Sequence, residues 1–370
     1  MSDTFIYGGV SSADFDAYIA SSNFLDGASR DVTAVSVPGR NGDLIISNNR
    51  FNNFLLTENV YIKDDIITNA DRLRSFLGKH TDSYYRLEES MYPDVYRLAR
   101  VSGGFAIETY DHKGGAFSVN YDCKPQRFLK SGETPLQFMP AMVSSSDWWT
   151  MFVPVNGTLK FTATTSSTLT VTLYTYNESG TQQSSTNYSC ANGAEKTKTF
   201  TSNDKYWRMK ISGRSSSDTV YLTVTGNTTY NGETIPLNAK FGYNYEITNP
   251  TGYPAKPLIE FYSRSLPTIV VENYRNNVKE EWYSFHSNQM ANSADHGFLD
   301  CELQYLYDST GANQTDKLIL TTAQSIAHSM VFPEFSGKTI KLKTSGMYTA
   351  LDTPSDGMGM VQIYPKWWTL

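Results

Sequence analysis

The chain is 370 residues long, carries a formal net charge of −6, and only 18% of its residues are charged. An acidic chain with no long basic run excludes general affinity for nucleic acid or an anionic membrane, both of which rely on clustered Lys and Arg. No stretch approaches the ~18 consecutive apolar residues of a membrane span, so no membrane insertion is expected.

Twenty-five Tyr, 19 Phe and 6 Trp stand among abundant Thr, Ser, Asn and Gly. That composition suits β-strands joined by polar turns, and the length suits two or three domains. Cys123, Cys190 and Cys301 form an odd, dispersed set, which fits assembly inside a cell without a disulfide framework. The start Met-Ser-Asp-Thr has neither the basic nor the apolar region of a signal peptide.

Along the chain, the first marked turn is Val37-Pro-Gly-Arg-Asn-Gly-Asp-Leu44. Pro38-Gly39 and Asn41-Gly42 are turn dipeptides on either side of Arg40, between Val35 and Val37 on one side and Leu44, Ile45 and Ile46 on the other. The pattern predicts a β-hairpin with Arg40 at its tip. Such an arginine can pair with a carboxylate across a subunit contact, or within the chain through Asp31 or Asp43, with Arg30 also close.

Ile66, Ala70, Leu73 and Leu77 recur at helical spacing, with Asp64, Asp65 and Asp71 toward the start. They predict one helix ending at Gly78, with Lys79 and His80 beyond it. Strand-like alternation follows over 82–87, 95–101 and 117–121. From 134 to about 244, polar runs alternate with strands at 169–176, 206–211 and 220–224, which predicts a β-sandwich or jelly roll. Pro250, Pro254 and Pro257 then form a stiff entry to strands at 259–262, 267–271, 282–285, 317–320, 339–343 and 360–364.

Candidate chemistry is sparse. His80, His112, His286, His296 and His328 show no metal or triad spacing, so no metal, cofactor or catalytic residue is expected. The adjacent pairs Glu88-Glu89 and Glu280-Glu281 point to opposite faces of a strand, so neither makes a two-carboxylate site, although distant acids could converge. Asp111, Asp308 and Asp356 read as turn formers rather than Ca²⁺ ligands. Trp148, Trp149, Tyr174, Tyr176, Tyr206 and Arg208 are candidate saccharide-binding residues, since aromatic faces stack on sugar C–H faces. In 206–211, Trp207, Met209 and Ile211 should face the core, leaving Tyr206, Arg208 and Lys210 outward; only one of Trp148 and Trp149 can point inward.

Five strings together resemble the distal tail proteins of long-tailed bacteriophages. They are Phe5-Ile-Tyr-Gly-Gly-Val-Ser-Ser-Ala-Asp-Phe15, the 37–44 turn, Tyr121-Asp-Cys-Lys-Pro-Gln-Arg-Phe-Leu129, Thr248-Asn-Pro-Thr-Gly-Tyr-Pro-Ala-Lys-Pro-Leu258 and Tyr364-Pro-Lys-Trp-Trp-Thr-Leu370. Phe332-Pro-Glu-Phe-Ser-Gly-Lys-Thr-Ile340 is also similar to that family's second domain. The resemblance covers about residues 1–135 and 245–370, which makes 136–244 an insertion.

By that resemblance the fold is mainly β, in three antiparallel sandwiches: a ring-forming domain over 1–135 with one covering helix, a jelly-roll-like module over 136–244, and a galectin-like sandwich over 245–370. The implied role is a non-enzymatic hub at the virion tail tip, made in the host cytoplasm. Its implied partners are five further copies in a hexameric ring, the tail-tube protein, a tail-associated hub or lysin protein and a receptor-binding protein. Pro38, Gly39, Arg40, Asn41 and Asp43 would sit at the ring interface, DNA would pass without sequence recognition, and the insertion would bind host cell-wall polysaccharide. A free carbohydrate-binding or adhesion protein and a glycan hydrolase remain as alternatives.

Overall fold

The computed structural model describes residues 3–104, 106–110, 114–144, 146–214, 220–263, 268–287, 296–322, 332–344 and 357–370. The fold is mainly β, with several sheets of almost entirely antiparallel pairing and one α-helix among the described residues. The chain divides into two compact units, 1–132 with 367–370, and 133–366.

The first unit contains β1 (Phe5–Tyr7), β2 (Val10–Ser11), β3 (Ala17–Ser22), β4 (Arg30–Val35), β5 (Leu44–Phe51) and β6 (Phe54–Ile62). The helix α1 (Ile66–Lys79) follows, then β7 (Tyr85–Glu89), β8 (Val95–Val101), β9 (Glu108–Tyr110) and β10 (Gly114–Leu129). Seven strands run in the order β2-β1-β7-β8-β10-β6-β3; β9 and the strand Trp368–Thr369 both pair with β10.

The predicted strand at 117–121 is thus the middle of a 16-residue strand. It stays continuous by bulging against β8 between Cys123 and Arg127, where Pro125 has no N–H to offer the ladder. The strand predicted at 82–87 forms later, over Tyr85–Glu89.

The apolar stripe of α1 is buried at Ile66, Leu73 and Leu77, in one core with Phe5, Tyr7, Val60, Val119 and Tyr121. Asn69 is buried on the same face and reaches Asp16 Oδ2 at 3.2 Å and the Asp64 carbonyl at 3.0 Å. The helix does not stop at Gly78. It continues through Lys79, and His80 closes it by donating its backbone N–H to the Leu77 carbonyl. The His80 ring nitrogen Nδ1 lies 2.8 Å from the Phe76 carbonyl. A side chain that bonds the last turn replaces the left-handed glycine stop.

The second unit begins with β11 (Leu136–Pro140), β12 (Met142–Ser144), β13 (Asp147–Trp149), β14 (Val153–Pro154), β15 (Asn156–Thr164) and β16 (Leu169–Tyr176). It continues with β17 (Gln182–Cys190), β18 (Glu195–Thr199), β19 (Tyr206–Ile211), β20 (Tyr221–Tyr230) and β21 (Glu233–Gly242). Then come β22 (Asn244–Thr248), β23 (Leu258–Ser263), β24 (Ile269–Arg275), β25 (Val278–Ser287), β26 (Gly297–Asp300), β27 (Tyr305–Asp308), β28 (Leu318–Thr322), β29 (Thr339–Thr344) and β30 (Gly357–Tyr364).

A nine-stranded sheet, β18-β15-β20-β21-β11-β30-β23-β26-β27, spans much of this unit. The sheet β12-β13-β19-β16-β17, extended by β14 against β19, packs over its first half. Their shared core includes Trp148, Trp207, Met209, Leu173, Phe161, Phe241 and Met360. A third sheet, β22-β29-β24-β25-β28, completes the unit. Among the described strands one pair is parallel: β11 lies beside β21, with Gln137 opposite Ala239 and Pro140 opposite Gly242. Two segments a hundred residues apart in sequence are therefore direct neighbours.

Candidate functional site

Two surfaces carry the predicted site residues. The first is the ribbon β4–β5, whose strands pair only with each other among the described residues. Its tip is a tight reversal in which Arg40 N–H donates to the Val37 carbonyl at 3.1 Å. Gly39 and Gly42 sit at φ 79° and 81°, where a Cβ would be strained. Pro38, Gly39, Arg40, Asn41 and Asp43 are all exposed.

Asp31 is committed to Arg50 and Asn48, and the Arg30 guanidinium lies over the Phe51 ring at 4.7 Å. Among the described residues Arg40 therefore has no ion-pair partner. The ribbon is apolar on both faces. Val35, Leu44 and Ile46 share one face by register, and Val32 and Ile45 the other. All five are exposed, Ile45 to 58% and Ile46 to 47%. Leaving so many large aliphatic side chains in water costs about 1.5–3 kcal/mol each relative to burial.

The second surface is the outer face of the sheet containing β13, β19 and β16. Alternation in β19 turns Trp207, Met209 and Ile211 into the core and Tyr206, Arg208 and Lys210 outward. The tryptophan pair divides in the same way: Trp148 is fully buried and stacks toward Tyr243, while Trp149 is half-buried on the outer face. Trp148 thus has no surface to offer a ligand.

Trp149 stacks on Tyr174 with ring centroids 5.2 Å apart and planes at 30°. The Arg208 guanidinium lies 5.2 Å from the Trp149 ring and 4.8 Å from Phe152; the Lys210 ammonium lies 5.4 Å from Trp149. Arg208 is held by its Nε, which donates to the Thr150 carbonyl at 3.0 Å, and Thr150 Oγ1 accepts the Met209 N–H at 2.9 Å. Lys210 pairs with Asp147 at 3.4 Å. Tyr176 is 9% exposed and meets Phe152 edge-on at 4.8 Å, with Tyr206 farther off on the same ring at 6.3 Å.

The face therefore unites Trp149, Tyr174 and Arg208, and adds Lys210, Asp147 and Phe152. Lys210 was legible from its alternation with Arg208. Asp147 was not, because only the pairing of β13 with β19 places it there.

His112, His328, Asp111 and Asp356 lie outside the described residues. His296 Nε2 lies 2.7 Å from Glu260 Oε1, a carboxylate that also accepts from Tyr262 and Tyr364. These partners outweigh burial and hold Glu260 below its ordinary pKa. Burial pushes the His286 pKa down. Asp308 closes its own turn, accepting from Thr310, Ala312 and Gln314.

No group of three His, Cys, Asp or Glu among the described residues could hold a metal. Glu88 points to Arg86 and Lys130 while Glu89 turns into the core, as the strand period requires. Distant carboxyls do converge at Glu58 and Glu89, but Glu58 is 0% and Glu89 1% exposed, closed to a polymer substrate.

No protein-family model matches the chain, and no curated protein does. Among solved structures it is similar to the crystal structure of the SPP1 Dit protein, described as a paradigm of the hub adsorption apparatus in phages infecting Gram-positive bacteria. Identity is 9%, the TM-score is 0.49, and the match covers 98% of each chain. It is also similar to a chain of the phage p2 baseplate in its activated conformation with Sr, at 9% identity and a TM-score of 0.33, covering 94% of this chain and 100% of that one. Neither likeness reaches the level at which a shared role follows.

Proposed function

We propose that this chain is a distal tail protein: a non-enzymatic hub whose first unit assembles into a ring, hexameric by the family's implication, at the tip of a phage tail. The observation that carries the reading is the β4–β5 ribbon, apolar on both faces and exposed on both. A heterologous contact repeated around a closing rotation axis would bury each ribbon between neighbours and leave an axial channel. Arg40 at the tip, without an ion-pair partner among the described residues, would then meet a carboxylate of the next copy or of the tail-tube protein.

Two further placements support the same reading. The string 121–129 and the tryptophan-pair ending are adjacent strands, with Phe128 opposite Trp368 and the Leu129 N–H donating to the Trp367 carbonyl. The ends of the segment 136–244 meet where β11 runs beside β21, the geometry an inserted module needs. We assign host-saccharide binding to that module through Trp149, Tyr174 and Arg208. A free adhesion protein would explain this face but not the ribbon.

Electron microscopy of the full chain, alone and mixed with its tail-tube protein, tests the assignment. Six-fold rings are expected, and Ile45→Lys with Ile46→Lys should remove them. A chain that stays monomeric in both settings would sink the ring.

A further inference from the structure

We propose that Asn41 is a site of spontaneous deamidation and, resting here on the ring reading, that a copy converted there joins the ring less readily. The chain holds four Asn-Gly pairs, beginning at Asn41, Asn156, Asn192 and Asn231. A glycine after an asparagine leaves the backbone nitrogen open to approach, because it has no Cβ. In the reaction the Gly42 nitrogen attacks Asn41 Cγ. A C–N bond forms, the Cγ–Nδ2 bond breaks, and Nδ2 leaves as ammonia with the proton from the Gly42 N–H. Water then opens the cyclic imide at either carbonyl, giving aspartate or isoaspartate.

Their surroundings separate the four pairs. Asn156 Nδ2 donates to Thr229 Oγ1 at 3.0 Å and to Thr234 Oγ1 at 3.2 Å, which pins the leaving amide. Asn192 Oδ1 accepts the Thr165 N–H at 3.1 Å, and the attacking Gly193 N–H is already donated to the Ala163 carbonyl at 2.9 Å. Asn231 sits at φ 47° in the tight turn between β20 and β21. There Tyr230 pairs with Glu233, and the ladder behind them resists the backbone rotation that ring closure needs. Asn41 carries none of these restraints. Among the described residues neither its amide nor the Gly42 N–H has a hydrogen-bond partner. Both residues are exposed between the paired Val35 and Leu44, and a Cβ at Gly42 would meet nothing beyond its neighbours within 4 Å.

Conversion places a carboxylate beside Arg40, where Asp43 already supplies one. The new charge competes for the guanidinium and repels the carboxylate that the next copy or the tail-tube protein would offer it. Contact within a ring would hold the loop still and slow the reaction, so the change accumulates in copies left unassembled.

The test keeps the full-length protein in warm, mildly alkaline buffer and follows the four peptides by mass spectrometry. Asn41 is expected to convert at least about fivefold faster than Asn156 or Asn192, each of which must first break a hydrogen bond, and faster than Asn231. Asn41→Gln, whose longer side chain cannot close the same ring, should remove the mass change from that peptide. Partly converted protein is then mixed with tail-tube protein, and rings are separated from free chains. Converted Asn41 should be depleted from the rings by at least about threefold. Asn41→Asp should assemble correspondingly less while melting as wild type does.

Conversion led by another pair, or equal at all four, would overturn the site. Converted chains present in rings at their share of the mixture would overturn the effect on assembly. Conversion at Asn41 with no rings in any preparation would bring down that effect and the ring reading together, and leave the site standing.

Discussion

Glu58 on β6 and Glu89 at the end of β7 are both buried in the core of the first unit, and each acts on the other's ionisation. Two neighbouring carboxylates buried out of water repel one another when both are ionised, so one carries a proton. Burial, then the neighbouring Glu89, holds Glu58 protonated well above the ordinary carboxylate range. Ser22 Oγ donates to Glu89 Oε1 at 2.5 Å; Arg97, Asp3, Tyr121 and Cys123 are the other ionisable groups that act on the pair.

This pair makes the first unit sensitive to alkali. Its folded state binds a proton that the unfolded chain releases near pH 4.5. The contribution to stability is full below that value and is lost as pH rises toward the raised folded value. Melting temperature should fall as pH rises above 4.5. Glu58→Gln keeps a donor toward Glu89 without ionising, so it should flatten the profile and melt higher at the alkaline end. A wild-type profile that rises over the same interval would refute the shared proton.

Substitutions on the ribbon should separate assembly from folding. Ile45→Lys and Ile46→Lys alter exposed positions and should change monomer stability by no more than about 0.5 kcal/mol. Each should weaken association by about 1.5–3 kcal/mol, or roughly tenfold to a hundredfold. Sedimentation over a concentration series, beside a denaturant titration, reads both. Equal losses in the two measurements would place the ribbon in a folding core instead.

The two adjacent tryptophans should behave as opposites. Trp148→Ala empties a fully buried site and should cost about 3–5 kcal/mol of stability. Trp149→Ala should leave stability within about 1 kcal/mol while abolishing saccharide retention. Urea unfolding and retention of the protein on host cell-wall glycan distinguish them, and the reverse pattern would overturn the orientation of β13.

Asn273 anchors the 332–337 turn. Its Nδ2 donates to the Glu334 carbonyl at 2.8 Å, and its Oδ1 accepts from the N–H groups of Ser336 and Gly337, both at 3.2 Å. The side chain is fully buried. Asn273→Ala strands these groups and should cost about 2–4 kcal/mol. Asn273→Asp preserves the acceptor alone and should recover part of that loss. Indifference of the melting curve to both would show that the turn holds itself.

Local periodicity alone determined several features. The 3.6-residue stripe marked α1 from Ile66 to Leu77, and the two-residue alternation of β19 separated Trp207 from Arg208. The Pro-Gly and Asn-Gly dipeptides marked the ribbon tip. Each follows from steric rules acting within a few residues, which need no knowledge of distant chain.

Tertiary structure decided the rest. Which of two neighbouring tryptophans faces outward depends on the register of β13 against β19. The meeting of Glu58 with Glu89, the parallel lie of β11 beside β21 and the return of Trp368 to Phe128 join residues far apart in sequence. Those pairings are set by how completely the whole chain buries its apolar faces, a sum over many distant contacts that no short window contains.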